Sequence, residues 1–220
     1  MSITDTAISS DTFLLPEETA EPIGFGCLAI FLWPPFSVAL FGALLFFGLT
    51  RIPASAASRH SAKSELADFF SPQVQRWDSD ILRWSADHGL DPNLVATVMQ
   101  IESCGDPFVV SPAGAIGLFQ VMPYHFSENE EPFAADTNAR RGLSYLRRAL
   151  EHFNGEAAMA LAGYHGGIGG ASRPQFMWAQ ETIDYVYWGS NIYADALAGR
   201  DASLTLEEWL SAGGASLCAY

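Results

Sequence analysis

The segment from Asp91 to Pro123 constrains the fold most, because it begins as a helix that must be buried. Asp91 can accept hydrogen bonds from the free amides of a first helical turn, and Pro92 suits the first helical position. Apolar residues then cover almost every side of the next three turns: Leu94, Val95, Val98, Met99 and Ile101. Since a helix that is apolar all round lies in a core, this pattern predicts a buried helix.

This helix is expected to end at a carboxylate, Glu102, which Ser103, Cys104 and Gly105 follow. A carboxylate at the end of a buried helix lies either at the surface or in a functional site. Burial raises the pKa of a carboxyl group, which suits a general acid near neutral pH. A solvated glutamate is the commoner case, so Glu102 by itself does not decide between the two.

The rest of the segment favours a site that binds an uncharged ligand. Residues 111–115 (SPAGA) form a turn of small residues, where backbone can approach a ligand closely. Gln120 and Met122 follow in GLFQVMP and add an amide and a thioether, without charge. Hydrogen bonds and flat apolar contact are what a sugar needs.

These residues together resemble the lytic transglycosylases of the soluble, lysozyme-like type. The resemblance rests on Glu102-Ser103 followed by SPAGAIGLFQVMP, and it covers about residues 74–187. It implies an all-α, lysozyme-like helical domain that requires no metal and no cofactor. Within that domain Glu102 would be the catalytic residue, and three residues would line the substrate groove: Ser111, Gln120 and Met122.

Two later segments extend the resemblance. The Tyr164 segment, YHGG, is similar to the family's Ala-Tyr-Asn-Ala-Gly, but it carries His165 where the family has Asn and Gly166 where it has Ala. The Glu181 segment, ETIDYV, is similar to the family's Glu-Thr-x-x-Tyr-Val. The resemblance therefore implies substrate-binding roles for Tyr164 and Glu181. An exposed glutamate in the first turn of a helix explains Glu181 equally well.

The family's chemistry uses one glutamate rather than the two carboxylates of most glycosidases. The glutamate protonates the oxygen between N-acetylmuramic acid and N-acetylglucosamine. It then takes the proton from the 6-hydroxyl, which closes on C1 to give a 1,6-anhydro product. Two alternatives remain open: a goose-type lysozyme-like hydrolase, and a membrane-anchored module that binds peptidoglycan as a scaffold with weak or no activity.

Charge and cysteine content exclude other classes. The net charge is −14 and the pI about 4.5, and the chain has no basic stripe, so nucleic acid is not an expected partner. The acidic loop at residues 124–135 lacks the alternating ligand pattern of a calcium loop. The spacing of the three cysteines fits no metal site, and Cys104 and Cys218 are either a disulfide pair or two reduced thiols.

The N-terminal region predicts a membrane attachment. Residues 24–50 carry no charge and are long enough to span a bilayer as one helix. The alternative is an export signal cleaved near Ala56, after which the protein is secreted. Three cations follow the span: Arg51, Arg59 and Lys63. By the positive-inside rule they favour a cytoplasmic domain.

The resemblance decides this conflict, because a peptidoglycan enzyme works outside the cytoplasm. We therefore expect a single-pass protein of the inner (cytoplasmic) membrane whose domain faces the periplasm or the cell exterior. Its partners would be peptidoglycan glycan strands, the membrane and an envelope machinery that the sequence does not identify. The predicted divisions are an acidic disordered tail (1–23), the transmembrane segment (24–50), a linker (51–72), the catalytic domain (73–198) and a C-terminal helix and tail (199–220).

Within the domain, hydrophobic periodicity predicts four more helices. They are residues 72–88, residues 138–153 with Asn138 as the cap, residues 157–164, and residues 175–198. A capping box over residues 205–208, headed by Thr205, predicts a final short helix that docks Trp209 on the domain.

Overall fold

A computed structural model describes residues 66–219, which form eight α-helices. They are α1 (Pro72–Gln75), α2 (Asp78–His88), α3 (Pro92–Ser103), α4 (Ala135–His152), α5 (Ala157–Gly166), α6 (Ile168–Ala171), α7 (Gln180–Leu197) and α8 (Leu204–Ser211). Three 3₁₀ turns lie at Pro123–His125, Gln175–Met177 and Gly214–Cys218. Extended pairing in this part of the chain is limited to two isolated bridges, so the all-α prediction is confirmed for these residues.

Helix α3 forms the centre of the domain, as its apolar surface predicts. The side chain of Asp91 accepts hydrogen bonds from the backbone amides of Asn93 (2.9 Å) and Leu94 (3.3 Å), which confirms the predicted cap. Every residue from Leu94 to Gln100 is buried. Helix α3 packs against α2 and α7, and its last turn carries Glu102 to the edge of the core.

The predicted helix over residues 72–88 is two helices, α1 and α2, with a break at Arg76 and Trp77. The indole of Trp77 donates a hydrogen bond to the carbonyl of Gly105 (2.9 Å), just beyond the end of α3. This contact ties the break to the loop that follows Glu102. Gly89 ends α2 with a left-handed φ of 62°, a conformation that glycine adopts without steric cost.

Helix α4 begins at Ala135, so the prediction that Asn138 caps it is wrong. Asn138 is buried inside the first turn. Its side chain accepts a hydrogen bond from the amide of Phe119 (2.9 Å) and donates to the carbonyls of Ile116 (2.8 Å) and Pro132 (3.1 Å). In the sequence, an Asn that caps a helix cannot be distinguished from an Asn whose side chain bonds the backbone of two loops, because both lie near the start of a helix.

Two helix starts on the C-terminal side also differ from prediction. Residues 175–177 form a 3₁₀ turn and α7 begins at Gln180, because the indole of Trp178 donates to the carbonyl of Arg173 (3.0 Å) and holds the intervening turn. Helix α8 is capped by Ser203, whose hydroxyl accepts from the amide of Leu206 (3.2 Å), and not by Thr205. The predicted docking of Trp209 is confirmed, since its side chain is buried in the core.

Both ends of the described region are joined to the core. Leu66 and Phe70, which the sequence assigned to a linker, are buried in it. Cys218 forms a disulfide with Cys104, the residue that ends α3. The predicted tail, membrane span and cleavage site near Ala56 lie outside residues 66–219. Within those residues, no helix combines the length and the apolar character needed to cross a bilayer.

Candidate functional site

A cleft of about 380 Å³ opens beside the end of α3. Five of the six residues that the sequence nominated line it: Glu102, Ser111, Gln120, Met122 and Tyr164. They come from α3, from the loop before α4 and from α5. The structure therefore brings together residues that are up to 62 positions apart in the chain.

A tight loop forms one wall of the cleft. The amide and carbonyl of Ile116 exchange two hydrogen bonds with those of Val121, both 3.0 Å. This closes a four-residue turn in which Gln120 takes a left-handed φ of 45°. The amide group of Gln120 donates to the carbonyls of Val109 (3.2 Å) and Gly117 (3.1 Å), so the loop's own backbone fixes its side chain at the cleft.

Gly117 is required in this wall for two reasons. Its φ is 72°, and a Cβ there would lie 2.8 Å from Nδ2 of Asn138. Ser111 closes the adjoining turn of small residues, because its hydroxyl accepts a hydrogen bond from the amide of Ala115 (3.0 Å). The turn therefore lies close to the cleft with its local hydrogen bonds satisfied.

Glu102 is partly buried, and burial raises the pKa of its carboxyl group from 4.5 to about 7. The nearby hydroxyl of Tyr185 lowers this pKa, but its effect is smaller than that of burial. That hydroxyl has no hydrogen bond of normal length and angle within residues 66–219. The carboxyl group thus has an environment in which it can hold a proton at neutral pH and also release it.

Tyr164 lies beside Glu102, but its hydroxyl donates to the backbone carbonyl of Phe119 (2.7 Å). Burial and the charge of Glu102 both raise the pKa of Tyr164. The close approach depends on Gly142 in α4, where a Cβ would lie 2.9 Å from the Tyr164 hydroxyl and 2.6 Å from Cβ of Phe119. Tyr164 is therefore a neutral group whose orientation the loop backbone fixes.

Sequence reasoning missed four residues of this site. Tyr145, His125 and Arg141 line the cleft, and Tyr185 faces Glu102 from α7. The pKa of His125 is lowered by burial and by the charges of Arg148 and Arg141. Tyr185 could have been found, because it is the tyrosine of the Glu181 segment. Tyr145 also belongs to a segment that resembles the family, Asn-x-x-x-Gly-x-x-Tyr-Leu at residues 138–146. His125 and Arg141 carry no motif.

Glu181 does not lie in the cleft with Glu102. It is exposed and lines a second cavity of about 460 Å³ with the residues around Trp178. His165 lines both the cleft and the second cavity. Its ring stacks on Tyr185, with 4.7 Å between ring centroids, and its Nδ1 lies 3.1 Å from the Thr182 hydroxyl. Burial lowers the pKa of His165, against a smaller opposite effect from Glu181.

Residues 66–219 contain no group of three or more His, Cys, Asp or Glu side chains arranged to hold a metal ion. The acidic loop uses its charge differently. Glu130 forms ion pairs with Arg140 and Arg141, both 2.7 Å long, and these fasten the loop to α4.

Comparison with known proteins shows what part of this domain is similar to. Residues 80–177 match the family model described as Transglycosylase SLT domain. The chain is 38% identical over 117 residues to the transglycosylase of Enterobacteria phage PRD1. The aligned region covers 52% of this chain and 42% of the phage protein. It is 51% identical over 35 residues to the endo-type membrane-bound lytic murein transglycosylase A of Klebsiella pneumoniae, covering 16% of this chain and 17% of that protein.

Among solved structures, an inactive mutant of the lytic transglycosylase Slt from Pseudomonas aeruginosa is similar, with a TM-score of 0.48 and 23% identity. The similarity covers 59% of this chain and 25% of that one. The chain spans less than half the length of the two curated relatives described above.

Proposed function

Since residues 80–177 match the model of the transglycosylase SLT family, we propose that this protein is a peptidoglycan lytic transglycosylase with a lysozyme-like catalytic domain. One observation carries the proposal at the level of chemistry. Glu102 lies in the cleft with a pKa of about 7, and it is the one carboxylate that lines the cleft among the described residues.

Glu102 acts first as an acid and then as a base. Its proton goes to the glycosidic oxygen between N-acetylmuramic acid and N-acetylglucosamine, and the leaving sugar departs as that bond breaks. The carboxylate then accepts the proton of the 6-hydroxyl, whose oxygen bonds to C1 and closes the 1,6-anhydro ring. A pKa near the working pH suits both steps, because each protonation state is accessible.

The groups around Glu102 can bind a sugar without adding a second negative charge to the cleft. Gln120, Ser111 and Met122 offer an amide, a hydroxyl and a thioether to a sugar. Tyr164 and Tyr185 remain neutral, because burial and the charge of Glu102 raise the pKa of both. They therefore add polar contacts near Glu102 without introducing a second negative charge.

The absence of a second carboxylate from the described cleft favours transglycosylation over a two-carboxylate hydrolysis, in which two carboxyl groups flank the scissile bond. The product distinguishes these reactions. Purified sacculi are incubated with the full-length protein, and the released muropeptides are identified by mass spectrometry. Anhydromuramoyl ends are the expected result. Reducing ends would indicate a lysozyme-like hydrolase, and binding to sacculi without release would indicate a scaffold module.

We further propose that the domain works outside the cytoplasm, attached through residues 24–50 to the inner membrane. The Cys104–Cys218 disulfide supports the outside location, because such bonds persist in oxidising compartments. In intact cells, a membrane-impermeant maleimide should label Cys218 of the Cys104→Ser variant, whose partner thiol is gone. Labelling that appears only after lysis would contradict this location and favour the orientation predicted from flanking charge.

A further inference from the structure

The second cavity, on the other side of His165 from the cleft, has no role in the chemistry proposed for Glu102. Its wall comes from the end of α5, from α6, from the turn at Gln175–Met177 and from the first turn of α7. The residues that give it chemical character are His165, Arg173, Met177, Trp178, Glu181 and Thr182.

Two opposite charges line this cavity without neutralising each other. Most arginines that the structure describes are ion-paired, as Arg147 is with Glu151 (2.7 Å). Arg173 differs, because its guanidinium forms no ion pair and no hydrogen bond with residues 66–219. The carboxylate of Glu181 also has no ion pair or hydrogen bond there. A ligand that carries both a carboxylate and an amine would complement the two charges.

The apolar groups of the cavity suit the aliphatic part of such a ligand. Trp178 is held in place because its indole donates to the carbonyl of Arg173 (3.0 Å). Met177 is 55% exposed. A methylene chain could therefore pack on an indole and a thioether between the two charges.

His165 connects this cavity to the cleft. It lines both, and its contacts with Tyr185 and Thr182 hold its ring between them. A ligand whose sugar lies beside Glu102 can thus extend past His165 into the second cavity. Peptidoglycan has this form, because a peptide branches from its muramic acid.

We propose that the second cavity binds the peptide branch of the glycan, through an amino-acid side chain that carries both a free amine and a free carboxylate. This proposal rests on the proposed function for its substrate. Arg173 binds the carboxylate, Glu181 binds the amine, and Trp178 and Met177 contact the methylene groups between them.

Binding to the intact chain tests the proposal without turnover. The full-length Glu102→Gln protein is labelled with ¹⁵N at tryptophan, and the indole signal of Trp178 is assigned by Trp178→Phe. Three probes are titrated: an N-acetylglucosaminyl-N-acetylmuramoyl peptide ending in meso-diaminopimelate, the same peptide ending in lysine, and the disaccharide without peptide. The lysine probe keeps the amine of the side chain but lacks its carboxylate.

The diaminopimelate probe should shift the Trp178 signal and bind about tenfold more tightly than the lysine probe, the order expected for one charge-assisted contact. It should bind more tightly still than the disaccharide, which lacks both charged groups. Arg173→Gln should remove its preference over lysine, and Glu181→Gln should weaken both peptide probes. Arg200→Gln and Glu207→Gln are the matched controls, because they change charge on exposed residues outside both cavities. Dissociation constants within threefold of one another, or a preference that survives Arg173→Gln, would overturn the proposal.

The two proposals fail separately. If the wild-type protein releases no muropeptides from sacculi, the proposed function fails, while the titration still decides the second cavity. If sacculi are cleaved but the three probes bind alike, the catalytic assignment stands and the peptide site is rejected.

Discussion

Glu102 and Glu130 are the same residue type in two regions of one domain, and their pKa values move in opposite directions. The pKa of Glu102 rises to about 7, because burial disfavours the charged carboxylate and no cation among residues 66–219 offsets this effect. The pKa of Glu130 falls to about 2, because its carboxylate accepts a hydrogen bond from the amide of Ser127 (2.9 Å) and pairs with Arg141 and Arg140.

This difference separates a carboxyl group that can hold a proton near neutral pH from one that stays charged. Desolvation without a partner keeps a proton available near neutral pH, whereas two arginines and a backbone amide keep a carboxylate permanently charged. Arg141 belongs to both regions, because it pairs with Glu130 and also lines the cleft. The acidic loop therefore fixes one edge of the site in which Glu102 lies.

The largest expected effect is on activity. Glu102→Gln should lower the rate of muropeptide release from sacculi by a factor of about 10²–10⁴, because general acid–base catalysis contributes on that order. Glu207→Gln, which removes an exposed carboxylate on α8, is the matched control and should retain the wild-type rate. If Glu102→Gln and Glu207→Gln released muropeptides at comparable rates, Glu102 would not be the catalytic carboxyl group, and its raised pKa would have no role in the reaction.

Asn138 joins the two regions, because its side chain bonds the cleft loop at Phe119 and Ile116 and the acidic loop at Pro132. Asn138→Ala leaves buried backbone groups without partners and should lower the free energy of unfolding by about 3 kcal/mol. Urea denaturation measures this loss. Asn138→Asp keeps the acceptor for Phe119 but puts a buried carboxylate against the two carbonyl oxygens, so its loss should be no smaller. Stability close to that of wild type in either variant would contradict this role of Asn138.

The pH dependence of stability gives a third comparison. Glu102 has a folded pKa of about 7 and an ordinary value of 4.5. Its contribution to stability is therefore fully present below pH 4.5 and is lost as the pH rises through about 7. Because glutamine does not titrate, the Tm of Glu102→Gln relative to wild type should be higher at about pH 8 than at about pH 4.5. A difference that does not change with pH would contradict the raised pKa.

Glu130 should show the reverse dependence and the smallest effect. Its folded pKa of about 2 means that its contribution is present above pH 4.5 and is lost as the pH falls toward 2. Glu130→Gln should lower the denaturation midpoint slightly at pH 7, by less than Asn138→Ala does, and the deficit should shrink in acid. Exposed ion pairs contribute little, which is why the expected effect is small. A deficit that grows in acid would be inconsistent with these ion pairs.

Much of the fold could be predicted, because helix capping and apolar periodicity depend only on residues close together in the sequence. Asp91 caps α3 and Gly89 ends α2 because each needs only a few neighbouring residues to do so. The buried surface of α3 follows from side chains that have no polar face to expose. Glu102 was predicted to be a site residue because of the segments that follow it, SPAGA and GLFQVMP, and not because of the glutamate itself.

Predictions failed where a distant contact overrode a local pattern. Trp77 lies at the break in one predicted helix, where its indole donates a hydrogen bond to the carbonyl of Gly105, 28 residues away. Glu181 shares a sequence segment with Tyr185, yet Glu181 lines the second cavity whereas Tyr185 interacts with Glu102. No pattern within a single segment encodes these partners.

The sequence by itself determined the helical class, the central buried helix and the group of residues within 102–122 that lines the cleft. These depend on periodicity, capping and residue chemistry, which are properties of short segments. The tertiary structure decided the pKa of Glu102, the pairing of Cys104 with Cys218 and the separation of Glu181 from the cleft. Each of these depends on which groups surround an atom in space, and the packing of α3 against α7 and the adjoining loops sets that arrangement.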